Sequence, residues 1–171
     1  MNSADLLADA LERVSETVHD VVEGLSPDEL SARLDADANS IAWLVWHLTR
    51  VEDDHIAGVA GTDQVWTSGG WHERFGLPFS PSTIGYGHGS DDVAAVRVDS
   101  AGLLTGYHEA VHENTLAYVR SLDDADLDRV VDKAWDPPVT LGVRLVSVVN
   151  DGTQHAGQAA FIRGILLRRR P

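Results

Sequence analysis

Eight histidines in a 171-residue chain without cysteine leave imidazole as the side chain on which metal or acid–base chemistry has to rest. Disulfides, thiolate ligands and a cysteine nucleophile are excluded. Asp151 and His155 stand four apart, which stacks them on one helix face shared with Val148 and Ile162. A carboxylate and an imidazole in an apolar stripe need partners, because burying either alone costs several kcal/mol. A divalent cation would satisfy both; so would a hydrogen-bonded core His155 beside an exposed Asp151 at a helix kink. His108 and His112 share the spacing, but their face is turned roughly 100–140° from the Tyr107, Val111 and Tyr118 stripe. With Glu109 and Glu113 they read as a solvated pair. His19, one position past Val18, reads as surface. His55 lies mid-face with Leu44, Leu48 and Val59, and His47 on the shoulder near Trp43, Leu44 and Val51, so both stay open as ligands.

These residues must be held by helices. Residues 4–23 carry Leu7, Leu11, Val14, Val18, Val21 and Val22 at three- and four-residue steps, with Ser3 placed as N-cap and Gly24 as stop. Ser26-Pro27-Asp28-Glu29 sets a capping box with proline at the first helical position, predicting a short helix to about Leu34. Asn39 or Ser40 caps a second long helix through Ile41, Leu44, Val45, Leu48, Val51 and Val59, ended by Gly61. Helical pattern returns weakly at Asp91–Arg97 behind Ser90, and strongly over 101–121. A connection follows at 123–140. The fourth long segment, 141–167, carries Leu141, Leu145, Val148, His155, Ile162 and Leu166. Asn150-Asp151-Gly152 is a turn signal inside it, yet the apolar stripe keeps its phase and predicts one continuous helix. Four amphipathic segments without a convincing strand give an all-α, four-helix-bundle fold in a single domain over 1–171.

Between the second and third long helices, residues 61–89 hold seven of the 15 glycines and two of the six prolines, with no sustained period. Five of the eleven aromatic residues lie there, Trp66, Trp71, Phe75, Phe79 and Tyr86, which predicts a packed irregular excursion. Trp71, His72, Arg74 and His88 sit among its glycines as pocket candidates, if the excursion is a substrate lid; a structural cap is the alternative. Arg50, Glu52 and Asp54 read as surface charge, with orientation of His47 as their other possible use.

The formal charge of −14 repels phosphate backbones and anionic lipid, so nucleic acid is not expected as a partner. With no basic, apolar leader and no apolar run of about 18 residues, the expectation is a cytoplasmic protein without a membrane partner. The terminal Arg168-Arg169-Arg170-Pro171 reads as helix capping that frays. Lys133 is the single lysine, which disfavours Schiff-base chemistry, and no strand-turn-helix nucleophile elbow supports serine hydrolysis.

The segments Trp43-Leu-Val-Trp-His47-Leu48 and Asp151-Gly-Thr-Gln-His155-Ala-Gly-Gln158, followed by Ile162-Arg163-Gly164, resemble the DinB/YfiT-like superfamily of four-helix-bundle metalloproteins. That superfamily includes mycothiol-dependent maleylpyruvate isomerases and bacillithiol transferases. The resemblance implies a divalent ion, zinc or nickel, held by His47, Asp151 and His155. Many members have histidine where this chain has Asp151, and the isomerase branch has glutamate. It further implies a thiol S-transferase or thiol-dependent isomerase, mycothiol or a similar small thiol as cosubstrate, and a homodimer. The alternatives are a non-catalytic metal- or ligand-binding stress-response protein, or a dimer with a structural ion.

Overall fold

The computed structural model describes residues 1–170. Four long helices form a ring: α1 (Ser3–Val22), α3 (Ile41–Ala60), α7 (Ala101–Arg120) and α8 (Leu141–Arg168). α3 packs on α7 and α8, and α1 packs on the same two, so α1 and α3 sit diagonally and barely touch. The short elements are α2 (Pro27–Ser31), α4 (Val65–Ser68), α5 (Trp71–Phe75) and α6 (Ser90–Ala95). No helix among the described residues is long and apolar enough to cross a membrane.

The start and stop signals act largely as expected. Ser26 and Glu29 exchange the capping-box hydrogen bonds at α2, and the Ser40 hydroxyl accepts from Trp43 N–H at 3.1 Å. Gly61 closes α3 at φ +72°. α1 differs by one residue: Asn2 is its cap, accepting from Asp5 N–H at 2.7 Å while the Asp5 carboxylate accepts from Asn2 N–H. α6 likewise starts one residue earlier, with Gly89 at its cap and Ser90 inside it. α8 runs unbroken through Asn150-Asp151-Gly152. Gly152 serves packing there, since a Cβ on it would lie 3.1 Å from Val14 Cγ1 of α1.

Several expectations need correction. The 123–140 connection contains a two-stranded antiparallel ribbon, β1 (Val130–Asp132) and β2 (Val139–Thr140), pairing Val130 with Thr140. Strands of three and two residues are too short to leave a period. The 61–89 excursion holds α4 and α5, single turns with the same handicap. Its aromatic residues Trp66, Trp71 and Phe75 are buried as expected, but Tyr86 is 62% exposed.

The third correction is at the C-terminal tail. Pro171 lies outside the described residues, but Arg170 does not fray: its guanidinium pairs with the Glu29 carboxylate at 2.8 and 3.0 Å and donates to the Gly24 carbonyl. Hydrogen bonds from Arg170 and Ser26 hold the Glu29 carboxyl down to about 2, from an ordinary 4.5. A depressed carboxyl contributes stability above its unfolded value and loses it as pH falls through its folded one. Arg170→Ala should therefore lower Tm more at pH 7 than below about pH 2, where only the bond to the Gly24 carbonyl is left to lose, which thermal melts at both pH values would check.

Along α3, every residue from Ile41 to Asp53 is buried, including Arg50 and Glu52, which correct the expectation of surface charge. The excursion covers Arg50, and α7 covers Glu52. The Arg50 guanidinium donates to Gln64 Oε1 at 2.9 Å and to the carbonyls of Thr83 and Pro81 at 3.2 and 3.3 Å. Asp53 accepts from Val65 N–H, Trp66 N–H and the Tyr107 hydroxyl, each at 2.8 Å, and lies 3.4 Å from Arg50. Both ends of the excursion are thus tied to α3 by a buried ion pair, and Ile84–Gly85 is carried onto His47.

Candidate metal centre

One donor atom from each of His47, Asp151 and His155 lies within 4.8 Å of the other two. His47 comes from α3; Asp151 and His155 are the stacked pair of α8. The His47 and His155 rings meet edge to face at 4.8 Å between centroids, and Trp43 stacks flat on His47 at 4.6 Å.

Hydrogen bonding fixes the free nitrogen of each ring. His47 Nδ1 lies 2.5 Å from the Ile84 carbonyl, which can only accept, so Nδ1 carries the hydrogen and Nε2 keeps a bare lone pair. His155 Nδ1 donates to the Asp151 main-chain carbonyl at 2.9 Å, with the same result. This is the arrangement that orients metal-binding histidines, whose second nitrogen donates to a carbonyl or carboxylate. With that hydrogen committed to the main chain, Asp151 Oδ2 is buried without a hydrogen-bond partner, although it lies 3.3 Å from the same nitrogen. An orphaned carboxylate oxygen beside two imidazole lone pairs fits a cation. The two nitrogens and one oxygen suit zinc, nickel or cobalt better than calcium or magnesium, and three donors are the number that catalytic zinc sites supply.

Burial is the main influence on His47, and with the facing His155 it pushes the imidazole below its ordinary value against the Ile84 carbonyl and the Asp151 charge. At His155 burial again acts downward, but the Asp151 carboxylate and carbonyl override it and the ring ends above its ordinary value. His47 is 2% exposed, whereas the side chains of Asp151 and His155 are each 18% exposed. Solvent reaches the cluster from α8.

The pocket candidates separate. His88 is one ring away: its Nδ1 accepts from Trp43 Nε1–H at 3.1 Å, and it stacks on Trp46. His72 sits edge-on to Trp66, 3.4 Å from the Phe79 carbonyl. Trp71 packs on Tyr107 and against Gly106, with the Arg74 guanidinium 3.7 Å over its ring, so this pair serves α7 and not the α3–α8 cluster. His55 turns to Asp54 and accepts from Arg144 at 3.4 Å, in a cleft of about 560 Å³ that it shares with Gln64, Arg129 and Asp132.

Sequence reasoning missed Ile84, and it placed Gly85 and Tyr86 in the excursion without their contacts to His47. Gly85 has φ +100°, and a Cβ there would lie 2.6 Å from His47 Nδ1 and 3.1 Å from Trp46 Cζ3. Tyr86 meets the His47 ring edge-on at 5.3 Å. Gly85→Ala should break the Ile84–His47 hydrogen bond, costing about 10–100-fold in metal affinity and about 1–3 kcal/mol in stability. Zinc titration and thermal melts would check this; unchanged affinity would show that the bond does not orient His47.

His108 and His112 correct another expectation. His108 is fully buried and the His112 side chain is 14% exposed, both facing buried Glu52 of α3. α7 packs against both α1 and α3, so its buried stripe is wider than its apolar residues and takes in Leu104, His108, Thr115 and Val119. Burial pushes His108 down to about 4, against the pull of Glu52. Glu109 and Glu113 are exposed as expected.

A model of the mycothiol-S-transferase family matches residues 6–167. The chain belongs to that family. Its all-α architecture and its DinB/YfiT-like character follow. Among solved structures, the crystal structure of a conserved protein from Enterococcus faecalis is 31% identical, with a TM-score of 0.92 and 99% of each chain covered. The comparison with curated proteins returns no match.

Proposed function

We propose that this mycothiol-S-transferase family member is a divalent-metal-dependent enzyme that transfers a small thiol of the mycothiol type to an electrophilic substrate. The observation that carries the reading is the convergence of two imidazoles, each donating its Nδ1 hydrogen to a carbonyl, on the unpartnered Asp151 oxygen. His47, Asp151 and His155 would hold the ion. When bound, such an ion lowers the pKa of a coordinated thiol or water, keeping a nucleophile available near neutral pH.

The chain's own groups shape what happens around that nucleophile. Ile84 and the Asp151 carbonyl keep both imidazoles in the ligand tautomer. Trp43, stacked on His47, keeps one wall dry. Burial, with the Asp151 and Asp54 charges outweighing Arg144, pushes the Tyr86 phenol above its ordinary value, so at neutral pH it is an O–H donor on the open side of the site. In the transfer, the thiol gives its proton to solvent and its sulfur bonds to the electrophilic carbon. The leaving group departs with the bonding electrons.

The test is reconstitution. Chelated protein should be inactive with mycothiol and a panel of alkyl and aryl electrophiles, and zinc or nickel should restore turnover that depends on both thiol and metal. Undiminished turnover after chelation, or none across the panel in the loaded protein, would refute the reading.

A further inference from the structure

Between α3 and α7, on the far side of α3 from His155, three buried side-chain atoms have no hydrogen-bond partner: Glu52 Oε1, His108 Nε2 and His112 Nδ1. One donor atom from each of these residues lies within 4.8 Å of the others. His112 Nδ1 and Glu52 Oε1 are 3.9 Å apart, too far for a hydrogen bond, and the His108 and His112 rings stack in parallel at 5.7 Å. Leaving several polar atoms unmatched in one interior cluster is costly, because each gives up its hydrogen bonds to water without a replacement.

The free nitrogen of His108 is fixed from outside the cluster. The Thr49 hydroxyl donates to the Val45 carbonyl at 2.8 Å, so toward His108 Nδ1, 3.2 Å away, it can only accept. Nδ1 therefore carries the hydrogen, and the orphaned Nε2 has a lone pair to give. Ile84 does the same for His47.

The two clusters share a plan. In each, one helix supplies an i, i+4 pair and α3 supplies a single residue: His47 toward α8, Glu52 toward α7. Five residues turn about 140° around a helix, so neighbouring stretches of α3 face different partners. Two imidazoles and a carboxylate form an N,N,O donor set of the kind that binds zinc, cobalt and nickel.

We propose that Glu52, His108 and His112 bind a second divalent transition-metal ion that cross-links α3 to α7. With His108 fully buried, Glu52 4% exposed and the His112 side chain 14% exposed, the ion is enclosed and its role is structural.

Cobalt(II) is the probe, read by equilibrium dialysis with elemental analysis and by thermal melts of the full chain. The chain should bind two ions, His112→Gln one, and His47→Ala/His155→Ala one, whose binding still raises Tm. Adding His112→Gln to that double variant should weaken the remaining ion at least about 100-fold and abolish the rise in Tm. Should His112→Gln lose its helical circular dichroism, Glu52→Gln, which removes the charge and keeps the shape, must give the same stoichiometry. A wild-type chain that binds one ion, lost in His112→Gln and kept in the double variant, would support this site while refuting the His47 centre. Stoichiometry unchanged by both His112→Gln and Glu52→Gln would overturn the proposal.

Discussion

His155→Ala should remove the ion from the α3–α8 centre and reduce thiol transfer to background, while leaving the fold intact. Deleting a group that merely orients a ligand costs about 10–100-fold in metal affinity, and His155 is placed as a ligand itself, so the loss should exceed that range. Its ring is 18% exposed, donates only within its own helix, and packs edge-on against His47 of α3. Stripped of metal, His155→Ala should therefore melt somewhat below wild-type protein while keeping its helical circular dichroism. Asp151→Asn separates charge from shape: it keeps an oxygen in place and should lower affinity less than His155→Ala. Elemental analysis and turnover of the two variants would check the order. Equal metal content in His155→Ala and wild type would remove the residue from the site.

The largest effect on stability is expected at Asp53→Ala. Burial raises the Asp53 carboxyl above its ordinary value even with Tyr107, Trp66, Val65 and Arg50 opposing, so the ion pair is costly to keep dry. It is costlier to break, because Arg50 is 0% exposed and its charge would be left among neutral acceptors. Removing one partner of a buried pair costs about 3–5 kcal/mol. For a domain of this size each kcal/mol moves Tm by about 2–4 °C, giving a fall of roughly 6–20 °C. The same substitution frees the N–H groups of Val65 and Trp66, so the excursion should loosen and metal affinity at His47 should drop with Tm. Asp53→Asn keeps one acceptor and should fall less. A Tm within about 2 °C of wild type would show that the excursion is held by its aromatic residues instead.

What the sequence disclosed follows the length scale of each signal. The four long helices were legible because Leu, Val and Ile repeat over five turns or more, and for α3 Ser40 and Gly61 also mark the ends. Asp151 and His155 were legible as a stacked pair for the same reason, and the family resemblance singled out His47 as their partner. Single turns such as α4 and α5, and strands of two or three residues, carry no period. Burial of Arg50, Glu52, Asp53 and His108 was illegible for another reason. Charge at a helix position predicts solvent only where one face is covered, and α3 is covered by α7, α8 and the excursion together. Ile84 and Gly85 act through a carbonyl and a missing Cβ, neither of which is written in a side chain.

The most direct measurement is anomalous scattering at the metal edge from crystals of protein loaded with zinc or nickel. A peak is expected within coordination distance of the Nε2 atoms of His47 and His155 and an oxygen of Asp151, with His47 Nδ1 still on the Ile84 carbonyl. Fully loaded crystals without a peak there, or with the two rings turned apart, would contradict it.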